Sequence, residues 1–361
     1  MNSSPTSIRL EASTRCQLDC PVCPTASGKL AKSRVGSGVL RLTDFQNLLE
    51  ATPALNSVEL SNYGEVFLNK ELVSILECAA EHDVEINLVN GVNLNFATTE
   101  QLEALVKYRV AQITVALDGA TQATYERYRS GGQIEKVLDH VRQINEFKQR
   151  YRSDLPKLTW QFVLFSYNEP EVDAARSMAA QLDMSFALRP NWSSSYFPVE
   201  NPAQPYDVIL PTPEQISGSS PLPIDAERFP LCAQLWVDPQ VNWNGAMLGC
   251  CVNYWDDYGD VFASSITAVM ESEKYRNTQK MLAGETFTAD SPCLKCNQFR
   301  TGFLSQYYWR YLLDAPMKWK LRLLKLKVRK GRRRVKAMLV NRVGAVKAFM
   351  SRVIRRSTDY P

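Results

Sequence analysis

Three cysteines near the start of the chain, Cys16, Cys20 and Cys23, are spaced C-x3-C-x2-C directly after a predicted strand. Thiolates grouped in this way bind soft metals. A structural zinc needs four ligands, and no fourth cysteine or histidine lies nearby. A disulfide would leave an odd thiol. Three thiolates suit a [4Fe–4S] cluster with one iron left unligated, and an open iron can bind a cosubstrate. Zinc, or a loop of simply buried cysteines, is the alternative.

A second set lies far along the chain. Cys232 is followed by Gly245 and Cys250, then by Cys293-x2-Cys296, and these four thiolates are enough to close a zinc site or another [4Fe–4S] cluster. Cys251 stands beside Cys250. Cys78 falls on an apolar helix face and reads as core. With nine cysteines but two histidines, His82 and His140, any metal must be held mostly by sulfur. No secretory signal opens the sequence, so this cysteine usage points to metal or redox chemistry rather than disulfides.

The elements that must position these thiols are legible. Strands are predicted at 8–11, 58–61, 84–89, 113–117, 159–165 and 185–189, alternating with amphipathic stretches at 43–52, 71–81, 98–108, 121–149 and 169–182. Two stretches open with capping-box signals, Thr43-x-x-Gln46 and Thr98-x-x-Gln101. Strands alternating with helices imply parallel βα units. Six are too few for a closed eight-stranded barrel.

The cysteine spacing, its place after the first strand and the six βα units resemble the radical S-adenosylmethionine (radical SAM) superfamily. The resemblance implies an α/β fold: a partial (β/α)6 TIM-like barrel, here followed by a small auxiliary Fe–S domain and a basic helical tail. It also implies that Cys16, Cys20 and Cys23 hold a [4Fe–4S] cluster whose fourth iron is chelated by S-adenosylmethionine (SAM). One electron would then cleave SAM to methionine and a 5′-deoxyadenosyl radical, which takes a hydrogen atom from substrate. The family often has an aromatic residue before the third cysteine; this chain has Val22.

Chemistry in βα barrels gathers where strands finish. The second strand ends in Asn62-Tyr63-Gly64-Glu65, which resembles the family's Gly-Gly-Glu loop for the SAM amino group, with Tyr63 in place of the first glycine. By the same resemblance Asp118, ending the fourth strand, is a candidate acceptor for the SAM ribose. Asn168 is a partner for carboxylate or ribose. Arg129 is a carboxylate partner through its forked donors, or else a solvated helix-end charge. Strand six ends Arg189-Pro190-Asn191-Trp192, which would face substrate.

The second cysteine set resembles a shortened auxiliary-cluster domain of the SPASM or twitch type, which implies Cys232, Cys250, Cys293 and Cys296 as ligands of one further [4Fe–4S] cluster. Cys251 is then spare: a small buried residue, or a hydrogen-atom donor to a substrate radical, as in some radical SAM epimerases. The expected domains are the core at 1–195, a Pro/Ser-rich connection at 196–230, the auxiliary domain at 231–303 and the tail at 304–361.

Charge separates the tail from the body. Residues 1–314 carry 26 Lys+Arg against 37 Asp+Glu, and residues 315–361 carry 16 against 1. In the tail Val335, Leu339, Val343, Val346, Met350 and Val353 recur at helical spacing among arginines, which suits an anionic membrane surface or an acidic partner. No sequence-specific nucleic-acid motif occurs. The body, 45% hydrophobic and 22% charged, has the balance of a globular protein with a sizeable core. The expected location is the cytoplasm, with a peripheral position at the inner membrane face open to the tail. The expected activity is that of a radical SAM enzyme supplied by a flavodoxin- or ferredoxin-like donor. A sugar or lipid-linked glycan is its first candidate substrate and a peptide the second, since no peptide-binding wing precedes residue 8. An iron–sulfur electron carrier or a zinc protein is the reading from another class.

Overall fold

The computed structural model describes residues 5–191, 193, 195–199, 232, 234–283, 285–297 and 299. Residues 200–231, which include all of the expected 196–230 connection beyond Val199, lie outside the described residues, as do the basic tail and Trp192. Among the described residues no helix is long and apolar enough to cross a membrane.

All six expected strands form: β1 (Ser7–Leu10), β2 (Ser57–Glu59), β3 (Glu85–Val92), β4 (Gln112–Ala116), β5 (Lys157–Leu164) and β6 (Met184–Pro190). A seventh, β7 (Gln240–Val241), comes from the cysteine-rich segment and pairs with β1. Two residues are too short a run to give a period, so sequence patterning misses β7. Every pairing between these seven strands is parallel, and the order is β6-β5-β4-β3-β2-β1-β7.

Register explains what each face does. Ile8 pairs with Val58, Val58 with Ile86, and Ile113 with Leu158. These residues form one core with Phe45, Leu48, Ile75, Leu102 and Val137 from the helices. Each large side chain so buried contributes about 1.5–3 kcal/mol of transfer free energy. The alternate positions are polar: Arg9 stands opposite Glu59 and Gln240, Glu59 opposite Asn87, and Asn87 opposite Gln112. A parallel sheet covered by helices on both faces reads as near-continuous apolar runs. Here one face meets helices, and the other is built to meet water or a polar ligand.

The helices that cover the apolar face are α1 (Leu42–Ala51), α2 (Leu72–Glu81), α3 (Thr99–Lys107), α4 (Gln122–Tyr128), α5 (Ile134–Tyr151) and α6 (Val172–Gln181). At α3 the capping box forms as expected, Thr98 accepting from the Gln101 N–H at 3.2 Å and Gln101 from the Thr98 N–H at 3.0 Å. The box expected at Thr43 does not form. α1 begins one residue earlier, with Arg41 as N-cap, and its first N–H donates instead to the Glu71 carboxylate. The expected single stretch at 121–149 is two helices. Gly131 at φ +84° breaks it, and a Cβ on Gly132 would lie 2.8 Å from the Tyr125 hydroxyl. In the cysteine-rich segment α7 (Gln234–Val237) precedes β7, and α8 (Ile266–Glu271) and α9 (Glu273–Leu282) follow it.

Candidate functional site

β1 ends at Leu10, and the chain passes through Glu11 into the cysteine loop. Cys20 is buried, while Cys16 and Cys23 are partly so, and all three are free thiols. The Cys23 N–H donates to the Cys20 carbonyl at 3.1 Å, which folds the C-x2-C step into a turn. Burial pushes the Cys16 thiol up to about 12, and the charges of Glu65, Cys20 and Cys23 push the same way. Burial also raises Cys20, against the pull of Arg129, with Cys23 adding to the rise. Thiols this close and this desolvated become thiolates only when a cation compensates them, as a metal does.

The loop after β2 lies directly on the cysteine loop. Glu65 donates its N–H to the Arg15 carbonyl at 2.7 Å, and a Cβ on Gly64 would stand 2.1 Å from the Ser13 carbonyl oxygen. Only glycine permits that approach. Glu11 holds the same loop from below, its carboxylate accepting from the Tyr63 N–H at 3.0 Å and the Gly64 N–H at 3.3 Å. Burial drives Glu11 up to about 8, with those hydrogen bonds opposing it. Glu65 turns inward, accepts from the Asn93 N–H at 2.8 Å and is raised by burial to about 7. Gly64 and Glu65 are thus brought to the thiols, with the Glu65 side chain serving as a clamp on backbone. Glu11 and Asn93, which also donates to the Cys16 sulfur at 3.9 Å, were not singled out from sequence. An acidic residue closing an apolar strand next to cysteines was the available signal for Glu11.

Asp118 is fully buried at the end of β4. One carboxylate oxygen accepts from the Val163 N–H at 2.7 Å and the other from Arg129 at 2.6 Å. Arg129 is therefore a buried partner of Asp118 and Cys20, not a solvated helix-end charge. Asn168 is fully buried as well. Its amide donates to the Asp118 and Val163 carbonyls, both at 2.9 Å, and its oxygen accepts from the Phe165 N–H at 2.7 Å. The structure engages Asn168 entirely in holding the ends of β4 and β5 together. Val22 is 39% exposed, and aromatic surface near the thiols comes from elsewhere. The Tyr128 ring lies 4.7 Å from Phe165 and 6.0 Å from Tyr196, close enough to Cys20 and Cys23 for their charges to act on its hydroxyl.

The second cysteine set surrounds a cavity of about 80 Å³ lined by Cys232, Cys250, Cys251, Cys293 and Cys296 together with Trp255 and Tyr258. Ser291 caps the turn Pro292–Lys295 that presents Cys293, and burial raises that thiol to about 12, with Cys232 and Cys296 adding. Cys251 stands where this cavity meets the polar face of the sheet. Burial raises it, while the Arg9 guanidinium pulls the other way. Arg9 is itself paired with Asp238 at 2.7 Å and donates to Asn90 at 3.1 Å. The structure thus brings five thiols to one cavity where four were expected, and Cys250 and Cys251 both line it.

Among the described residues, no three histidine, cysteine, aspartate or glutamate side chains converge on a point for a single metal ion. The donor chemistry of both groups, three thiols at the first site and five around the second cavity, fits the all-cysteine ligation of iron–sulfur clusters.

Residues 232–297 match the SPASM family, an iron–sulfur cluster-binding domain. The chain is 26% identical over 237 residues to the PqqA peptide cyclase of Rhodopseudomonas palustris, covering 65% of this chain and 58% of that protein's length. It superposes on Streptococcus suis SuiB bound to S-adenosylmethionine with a TM-score of 0.60 at 13% identity, covering 86% of this chain and 76% of SuiB. For SuiB bound to the precursor peptide SuiA the TM-score is 0.56 at 15% identity, covering 82% and 70%. The fold is that of SuiB, with the SPASM-matching segment following the βα units. The sugar or lipid-linked glycan expectation gains no support from these relatives.

Proposed function

We propose that this chain is a radical SAM enzyme acting on a peptide. The observation that carries the reading is the trio of mutually interacting thiols at the end of β1, with the loop after β2 folded onto it. Cys16, Cys20 and Cys23 would hold the [4Fe–4S] cluster that, once reduced, supplies the electron for SAM cleavage to methionine and a substrate-activating 5′-deoxyadenosyl radical. Gly64 lets the backbone of 63–65 approach that site, and Arg129, mostly buried, brings a fixed positive charge beside Cys20. Asp118 holds Arg129 in place, so the guanidinium would meet the SAM carboxylate in a fixed position. Asn168 fixes the strand ends from which both project.

Four of the five thiols around the second cavity would hold an auxiliary [4Fe–4S] cluster, with Cys232, Cys250, Cys293 and Cys296 as ligands. Cys251, beside Arg9 at the polar face, is then the remaining thiol and the candidate hydrogen-atom donor. A flavodoxin- or ferredoxin-like protein would be the reductant, and the basic tail a peripheral membrane contact. Peptide is preferred as substrate because a curated relative cyclises a peptide and a structural neighbour binds one.

Anaerobic reconstitution tests the class. The chain should take up about eight irons and release 5′-deoxyadenosine on reduction with SAM. Iron without SAM cleavage would make it an electron carrier, and zinc in place of iron would end the reading. Offering peptides and glycans to the loaded protein tests the substrate, since only peptides should raise 5′-deoxyadenosine formation. Product made in deuterated solvent by Cys251→Ala at the normal rate, with solvent deuterium still incorporated, would remove Cys251 from the chemistry.

A further inference from the structure

Tyr63, which stands where the resembling loop has a glycine, has no task in the function proposed above. Its backbone is fixed on both sides: its N–H donates to Glu11 at 3.0 Å, its carbonyl accepts from the Thr25 hydroxyl, and Gly64 beyond it is wedged against Ser13. The side chain packs with Tyr254 against Leu30, Val35 and Leu248. Leu248 is also part of the wall of the five-thiol cavity. The Tyr63 hydroxyl is buried and finds no hydrogen-bond partner among the described residues. Its neighbours in charge are Cys250 first and then Cys251.

A buried tyrosine hydroxyl ordinarily finds an acceptor. Beside a cavity ringed by thiols, the acceptor that the proposed auxiliary cluster would bring is sulfur. We propose that the Tyr63 hydroxyl donates a hydrogen bond to a sulfur of the auxiliary cluster, so that the loop at the first site sets the potential of the second. Donated hydrogen bonds favour the more negative, reduced state of a cluster, and this one raises the auxiliary potential. Tyr63 is a positioning residue in this scheme, and no proton or electron leaves it. The inference rests on the auxiliary cluster proposed above.

The test is an EPR-monitored redox titration of the reconstituted full chain, wild type against Tyr63→Phe, with iron content measured on both. The phenylalanine keeps the ring and removes only the donor. The auxiliary midpoint should move to more negative potential while the SAM-perturbed signal of the first cluster stays in place. An exchangeable-proton coupling seen by ENDOR after deuterium exchange should vanish from the auxiliary signal. 3-Fluorotyrosine at position 63, a stronger donor, should move the midpoint the opposite way. Two loaded clusters with unchanged midpoints in Tyr63→Phe would overturn the inference, as would satisfaction of the hydroxyl by water alone. Loss of the auxiliary iron in Tyr63→Phe would overturn it too, by making Tyr63 a folding residue. A wild-type chain that loads no second cluster would instead sink the reading on which the inference stands.

Discussion

The two cysteine groups are built on opposite plans. At the first, three thiols sit on a loop between strand ends, and polar groups from three successive βα turns, Glu65, Asn93 and Asp118, close around them with Arg129 from the end of α4. At the second, five thiols ring a small cavity with Trp255 and Tyr258 among its walls. A deficit of thiols leaves coordination open to a ligand, while a surplus closes it. The difference teaches that the number of sulfurs and the polarity of their surroundings set the two groups apart in a way that spacing alone does not show.

That contrast can be broken most directly at Cys20. Cys20→Ala should abolish 5′-deoxyadenosine formation and remove about half of the iron, measured after anaerobic reconstitution. Cys293→Ala should also lose about half of the iron yet keep reductive SAM cleavage in the absence of substrate. If both variants lose SAM cleavage equally, the two sites are not distinct in role. Arg129→Ala leaves the buried Asp118 carboxylate unpaired and should cost about 3–5 kcal/mol in urea unfolding of the metal-free chain. Gly64→Ala forces the 62–65 loop off Ser13 and should cost about 1–3 kcal/mol, with the SAM affinity falling before the iron content does.

The smallest effect concerns pH. Glu11, whose carboxyl burial lifts from 4.5 to about 8, is held more firmly protonated in the folded chain than in the unfolded one. Its contribution to stability is complete below about 4.5 and is lost as pH rises through about 8. Urea midpoints of the metal-free chain should therefore fall over that window, and Glu11→Gln should flatten part of the slope. Glu59 and Glu65, both raised to about 7 by burial, supply the remainder.

The strand–helix alternation was legible because each βα unit is long enough to show its period, and because Thr98 and Gln101 announce a cap that forms. The first thiol trio was legible because its three members are close in sequence. Local signals failed where tertiary partners decide. Thr43 and Gln46 match a capping pattern, but Glu71 reaches the first turn of α1 from another helix. The split after Tyr128 depends on where Tyr125 sits under Gly132. For Arg129 the sequence left a SAM-carboxylate partner and a solvated helix-end charge both open, because its partner, Asp118, is contributed by a different turn. The meeting of Cys251 with Arg9 spans most of the chain, and no periodicity could announce it.

The short pairing of β7 with β1 has a mechanical consequence. The Arg9 N–H donates to the Pro239 carbonyl at 3.1 Å and the Glu11 N–H to the Val241 carbonyl at 3.0 Å, so the accessory domain is stitched to the very strand that launches the first cysteine loop. The two metal pockets share one rail. A hinge that opened this molecule to admit a long guest would have to fall elsewhere.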